Sequence, residues 1–294
     1  MDRRDFLKAI AIALLASQGA ARRLLASPHP TVAMSKGKDY QGITKKVVDS
    51  LGGVGRFVKR GDTVVIKPNM GWDRTPAQAA NTHPLVVRAL AVEALSAGAR
   101  KVKVFDRSCN DERRCYVQSG IRDALSDLKG VELKFIDADR FRRVRIPNGV
   151  AIREWELYEE AISANVFINV PVAKHHALSK LTLGLKNIMG VMGENRGSIH
   201  RHLSEALADL NSVVKSHLTV IDATRILTAH GPQGGDPADV KVLNTVIAST
   251  DIVAADAVAT TLFGMKPEEI PATVAAFRRG LGEMRLDRIR ILTV

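Results

Sequence analysis

A chain of 294 residues that is 46% hydrophobic and 25% charged carries enough apolar material for a sizeable core, which excludes a disordered or fibrous protein. Its formal charge is +12, yet the basic residues are scattered and aromatics make up only 4%. That combination argues against nucleic acid, which asks for a continuous basic stripe with stacking aromatics, and in favour of an anionic small molecule or an anionic surface.

Residues 1–26 read as a twin-arginine export signal. Arg3-Arg4 precedes Phe6-Leu7-Lys8, an apolar run follows from Ala9 to Leu15, and small residues continue to Ala21. The run falls short of the roughly 20 residues that a membrane span needs, so no stable anchor is expected once the signal is cleaved. Gly19-Ala20-Ala21 and Leu24-Leu25-Ala26 are both candidate cleavage points. The expected address is the periplasm or another extracytoplasmic compartment, with the twin-arginine machinery as a partner. Residues 27–38 contain Pro and Lys and read as a linker. Residues 39–294 read as a single α/β domain with room for two sub-lobes.

Within that domain short β-rich runs alternate with helical stretches. Strands are predicted at Thr63–Lys67, Val102–Asp106, Val131–Asp137, Val166–Val170, Leu218–Asp222, Val242–Ala248 and Ile289–Val294. Several are near-continuous apolar runs, as expected of strands covered on both faces. Helices are predicted at Pro84–Ala97, with Thr82 near the N-cap, and at Tyr116–Leu128. A third spans Ser179–Met192 and places Leu181, Leu185, Ile188 and Met192 on one face. A fourth begins near His202 and buries Leu203, Leu207, Leu210 and Val214. The last two are Ile252–Leu262 and Ala272–Arg279. The alternation predicts an α/β fold with a mainly parallel sheet and helices on both faces, in Rossmann-like layers.

Several predicted strands end in polar residues: Lys67, Asp106, Asp137 and Asp222, with Asn169 near the end of its run. Ligands of open α/β sheets bind beyond the carboxyl ends of the strands. Asp106 and Asp137 read as ends that emerge into water, whereas the neighbours of Lys67 and Asp222 favour a site. In Lys67-Pro68-Asn69 the proline turns the chain at the sheet edge and aims the lysine into the crevice. The loop from Gly71 to Asn81, with Trp72, is placed at its mouth. Lys174, His175 and His176 follow another strand end, and alternation puts Lys174 and His176 on one side. Such a pair supplies an anion clamp and a general base. Thr182 and Lys186 share a face of the predicted third helix. Arg196 sits in the turn Gly193–Ser198, which precedes a helix start suited to an anion.

A divalent metal would need about three converging ligands. His83, His176, His200, Asp209 and Asp222 are the candidates, with His200 and Asp222 preferred. Cys109 and Cys115, six positions apart, predict a local disulfide in an oxidising compartment. No iron–sulfur spacing is present. The loop His230–Gly235 is rich in turn formers and able to approach a ligand closely. Asp251 suits a helix N-cap, and Asp256, set among alanines, is expected to find a basic partner.

Val64–Asn69 (V-V-I-K-P-N), Thr82-His83-Pro84, Lys174 with His176, Leu183–Gly190 (L-G-L-K-N-I-M-G), His200, Ala208–Asn211, Asp222 and the run Ser249–Ala259 together resemble the family catalogued as domain of unknown function 362. The resemblance covers nearly all of the chain after the signal. Many of that family's members resemble ferredoxin fusions with four-cysteine modules, which this sequence does not match. The resemblance implies a shared site at Lys67, Lys174, His176, Lys186 and Asn187, and no particular reaction.

The expected function is that of an exported enzyme acting on an anionic small molecule. Lys174, His176 and Lys186 form the expected catalytic set, and Lys67, Asn69, Asn187 and Arg196 contact substrate. His176 does acid/base work or joins His200 or Asp222 on a metal. The rival is a non-catalytic ligand- or cofactor-binding protein serving a redox partner. A buried lysine with a lowered pKa favours the enzyme.

Overall fold

The structure is a computed structural model in which residues 29–294 are described, so the predicted export signal lies outside the described residues. The strands in chain order are β1 (Thr31–Lys36), β2 (Thr63–Pro68), β3 (Lys101–Val104), β4 (Val131–Leu133), β5 (Phe141–Arg145), β6 (Glu154–Tyr158), β7 (Val166–Val170), β8 (Val172–His176), β9 (Lys180–Thr182), β10 (Leu218–Leu227), β11 (Val240–Ser249) and β12 (Arg290–Thr293). The α-helices are α1 (Tyr40–Asp49), α2 (Pro84–Ser96), α3 (Glu112–Gln118), α4 (Ile121–Leu125), α5 (Glu159–Ser163), α6 (Gly184–Asn187), α7 (Leu203–Val213), α8 (Ile252–Thr260) and α9 (Pro271–Arg278). None is long and apolar enough to cross a membrane.

The main sheet runs β12-β1-β11-β10-β7-β2-β3-β4, with β8 beside the far half of β10 and β9 beside β8. Pairs β2–β7, β2–β3, β3–β4, β7–β10, β8–β10 and β1–β12 are parallel. Pairs involving β11, and β8–β9, are antiparallel. The fold is therefore α/β with a mostly parallel sheet, as the alternation of elements predicts.

The apolar strands are buried on both faces because successive side chains alternate. Val64, Ile66, Val166, Ile168 and Val220 join α1–α4 in one core. Their neighbours Val65, Phe167 and Ile221 join α7–α9 in the other. The sheet is thus sandwiched between two helical layers, each with its own core.

Several expectations are corrected. Thr31–Lys36 is not linker: T-V-A-M-S-K forms β1 between β11 and β12, and Val32 and Ala33 are fully buried on opposite faces. The stretch read as a helix from Ser179 to Met192 is instead β9, the one-turn α6 and a 3₁₀ turn. Its leucines are buried because the whole segment passes through the inside of the molecule, not because one helical face is apolar. The helix expected over Tyr116–Leu128 divides into α3 and α4 at Gly120, whose φ of 72° leaves the helical region. The hairpin β5–β6 was not expected; its arginines pair with Glu154, Glu156 and Glu159, so its sequence does not alternate apolar with polar.

Two carboxylates shape the chain near the sheet edge. Asp251 caps α8, accepting from Val253 and Ala254 backbone N–H groups. Asp256, inside α8, has backbone partners rather than the expected basic one. It accepts from the N–H groups of Gly184 (2.6 Å) and Leu185 (2.9 Å), and so fixes the start of α6. Burial without a counter-charge pushes its carboxyl up to about 7.

Candidate functional site

Strands β2, β3 and β7 run parallel, so their carboxyl ends share one edge. Lys67 and Asn169 lie opposite each other in the β2–β7 register, and Asp106 follows the end of β3. Pro171, which cannot donate to a ladder, separates β7 from β8. Beyond it, β8 carries Lys174 and His176 on one side. Lys67, Asp106, Lys174 and His176 converge on a cavity of about 430 Å³, whose floor and walls also include Trp72, Arg107, Cys109, Lys186, Arg196 and His200. That size suits a small metabolite.

Lys67 is fully buried and its ammonium is held from three sides. It lies 2.7 Å from Asp106 Oδ1 and donates to Asn187 Oδ1 (3.0 Å) and Pro68 O (2.8 Å). Asp106, 2% exposed, also accepts from the Met70 N–H through Oδ2. The reading of Asp106 as a strand end in water is thus overturned: it is the counter-charge of the buried lysine. Asn187 is equally committed. Its Nδ2 donates to Lys67 O and Asn169 Oδ1, while its Oδ1 accepts from Lys67 and Asn69. Lys67 and Asn187 therefore form an internal clasp that joins β2, β7 and α6, and both also line the cavity.

Lys174 differs. It is 1% exposed and has no carboxylate partner among the described residues. Its Nζ donates to Asn69 Oδ1 (3.1 Å) and Ala80 O (2.5 Å), with the Trp72 ring centroid 5.9 Å away. Burial, assisted by the Lys186 ammonium, brings its pKa down to about 7. A neutral amine has two N–H bonds and one lone pair. The two acceptors match the N–H bonds and leave the lone pair to the cavity.

Lys186, on α6, has only the Met189 sulfur as a neighbour for its ammonium, at 3.3 Å. Burial and the Arg196 charge lower its pKa to about 8. Arg196 donates to the carbonyls of Met189 and Ser108 and to Cys109 Sγ, and Arg107 donates to those of Met192 and Glu194. Among the described residues neither guanidinium is paired with a carboxylate, and both line the cavity.

The two cavity histidines are held in opposite tautomers by backbone groups. His176 Nδ1 accepts the N–H groups of Leu178 (3.1 Å) and Ser179 (3.3 Å), so its hydrogen sits on Nε2. Burial and the nearby lysines drive its pKa down to about 3. It is a neutral hydrogen-bond donor, not the expected general base. His200 Nδ1 lies 2.8 Å from Gly197 O, which can only accept, so its Nε2 is the unprotonated nitrogen. The rings stack with centroids 6.2 Å apart. His175 points the other way, as alternation requires, and accepts the Gly231 N–H.

The metal reading fails on placement. Asp222 is buried away from His200 and accepts from the His83 N–H (2.7 Å) and from the Thr224 N–H and hydroxyl. His83 caps α2, and burial holds its imidazole down to about 4. Asp209 gathers the N–H groups of Val150, Ala151 and Ile152 together with Arg279. Among the described residues no three His, Cys, Asp or Glu side chains are grouped to hold a metal ion.

The disulfide is also corrected. Both thiols are free: Cys115 faces the core from α3, while Cys109 is exposed at the cavity and accepts from Arg196. Burial pushes the Cys115 thiol up to about 11. A thiol reagent is therefore expected to modify one cysteine of the folded chain, Cys109, and both after unfolding. Recovering no reactive thiol from unfolded, unreduced protein would restore the disulfide. Sequence reasoning missed Cys109, Arg107 and Asp106 as site residues. For Asp106 a signal existed, since adjacent parallel strands bring their polar ends together.

Fold and site together define an α/β protein with a cavity lined by several basic side chains at the carboxyl edge of a mostly parallel sheet. Residues 64–261 match the domain of unknown function DUF362, and the chain belongs to that family. A thylakoid-associated protein of Synechocystis sp. is 30% identical over 251 residues, covering 81% of this chain and 74% of that protein. Among solved structures, the lactate racemase apoprotein from Thermoanaerobacterium thermosaccharolyticum superposes with a TM-score of 0.46 and 13% identity. That match covers 81% of this chain and 58% of the racemase.

Proposed function

We propose that the protein is an exported enzyme acting on an anionic small molecule. The observation that carries this reading is the charge of the cavity wall. Among the described residues Lys186, Arg107 and Arg196 face it without a carboxylate partner, and the acidic side chain that lines it, Asp106, is already paired with Lys67. An anion is the ligand that such a wall lacks. Lys186 and Arg196 hold its charge, the His176 Nε2–H orients it, and the Lys174 amine acts as base or nucleophile. The perturbed lysine beside a fixed donor supports an enzyme over a passive carrier.

The pKa values give a pH profile. Lys174 is reactive only when neutral, so activity falls as pH drops through about 7. Lys186 binds charge only when protonated, so affinity falls as pH rises through about 8. A narrow bell between these limits is expected, together with weakening by salt. Lys186→Ala is expected to weaken binding of inorganic phosphate or pyruvate by roughly tenfold in titration calorimetry, the scale of one charge-assisted hydrogen bond. An uncharged analogue bound as tightly as the anion would reject the reading.

The export part of the reading is supported by Arg3-Arg4 ahead of Phe6-Leu7-Lys8. Changing both arginines to lysine is expected to leave the precursor in the cytoplasm on fractionation, and unimpaired export of that variant would sink it.

A further inference from the structure

We propose that Lys174 forms an imine with the carbonyl carbon of its substrate, which makes that substrate a small oxo acid or another carbonyl compound bearing an anionic group. The inference rests on the reading of the cavity as an anion site and deepens it.

Lys174 projects from β8 into the cavity, and its two acceptors, the side-chain Asn69 Oδ1 and the backbone Ala80 O, lie on the loop after β2. They orient the amine by its N–H bonds, so the lone pair has one direction left, toward the ligand. The other lysines are unsuited. Lys67 is tied to Asp106 and Asn187, and Lys186 donates to the Met189 sulfur, a weak acceptor. His176 lines the same cavity, and its fixed Nε2–H is a donor for the carbonyl oxygen. Lys186, on α6, and Arg196, in the 3₁₀ turn that precedes α7, line the same cavity, where they would hold a carboxylate or phosphate of the same molecule. A carbonyl carbon is the electrophile that uses all of these groups at once.

The step balances without another reagent. The nitrogen lone pair attacks the carbonyl carbon, and the π pair moves onto oxygen, held by the His176 N–H. The two amine hydrogens leave with that oxygen as water, and a C=N bond replaces C=O. The imine nitrogen then takes one proton from water, and the N–H so formed can donate to Ala80 O. Its positive charge sits beside Trp72, whose ring face is 5.9 Å from Nζ. The lowered pKa of Lys174 provides the free amine near neutral pH.

The test is borohydride trapping on the full chain with pyruvate, 2-oxoglutarate or oxaloacetate, followed by peptide mass mapping. A reduced adduct on Lys174 is expected, lower by roughly tenfold or more with acetone, which lacks the anion contact. Lys174→Arg should lose the adduct while remaining folded by circular dichroism, and excess inorganic phosphate should suppress it in the wild-type chain. If calorimetry shows that these oxo acids bind but no adduct forms at Lys174, the imine is overturned and the anion site stands. Adducts spread over surface lysines, equal for acetone and oxo acids, overturn it as well. If neither phosphate nor any oxo acid binds, the anion site fails and the imine falls with it.

Discussion

Replacing Asp106 by alanine is expected to destabilise the folded chain by about 3–5 kcal/mol, read as a lower urea midpoint with an unchanged slope. The change removes the carboxylate paired with a fully buried lysine. Lys67 would keep Pro68 O and Asn187 Oδ1, both neutral acceptors. An ammonium so placed costs several kcal/mol to keep charged and would tend to give up its proton. The Met70 N–H loses its acceptor in the same step. Asp106→Asn retains an acceptor oxygen and should lose less. Joining Lys67→Met to Asp106→Ala removes the stranded charge, so the double variant should be more stable than Asp106→Ala alone. A loss below about 1 kcal/mol in the single variant would mean that the pair is not the anchor described above, since that is the scale of an exposed ion pair.

How far the site could be read in advance follows from which interactions are local. Lys174 and His176 share a side because strands alternate, and that needs only two residues of spacing. The strands around Val64–Ile66 and Val166–Ile168 were legible because both their faces are apolar. β1 was hidden by the proline before it and the lysines around it. The misread stretch from Ser179 to Met192 shows the limit of periodicity. Its leucine spacing fits a helix, but Lys180 adopts a φ of 63° and Asp256, 72 positions away from Gly184, holds the start of α6. No local pattern contains that carboxylate. The roles of Lys67 and Lys174 diverge for the same reason. Both are lysines near strand ends in an apolar context, and only the arrival of Asp106, just past β3, gives one a counter-charge that the other lacks among the described residues. The tautomers of His176 and His200 likewise depend on backbone groups that the fold brings to Nδ1.

Gly190→Ala is the substitution expected to couple most directly to that cation. Gly190 closes the run L-G-L-K-N-I-M-G and lies in the 3₁₀ turn after α6. A Cβ there would overlap Asp106 Oδ1 and the Lys67 Cε and Nζ atoms, all of them buried and none at the free end of a mobile surface chain. Either the ion pair separates or the turn moves away from β2 and β3. Moving the turn breaks the Arg107 N–H bond to Gly190 O and displaces Lys186 and Asn187 just before it. Overpacking of a tight core costs about 1–3 kcal/mol, and separation of a buried pair adds to it, so a loss of roughly 3 kcal/mol or more is expected. Gly55→Ala is the control, because no atom lies within 4 Å of its added methyl and its backbone is not left-handed; it should change stability by no more than about 0.5 kcal/mol. The decisive measurement is the combination with Asp106→Ala. Removing the carboxylate relieves one of the overlaps, so the double variant should be distinctly less destabilised than the sum of the two single changes. Strict additivity would mean that Gly190 is required for some reason other than the space it leaves for the Lys67–Asp106 pair.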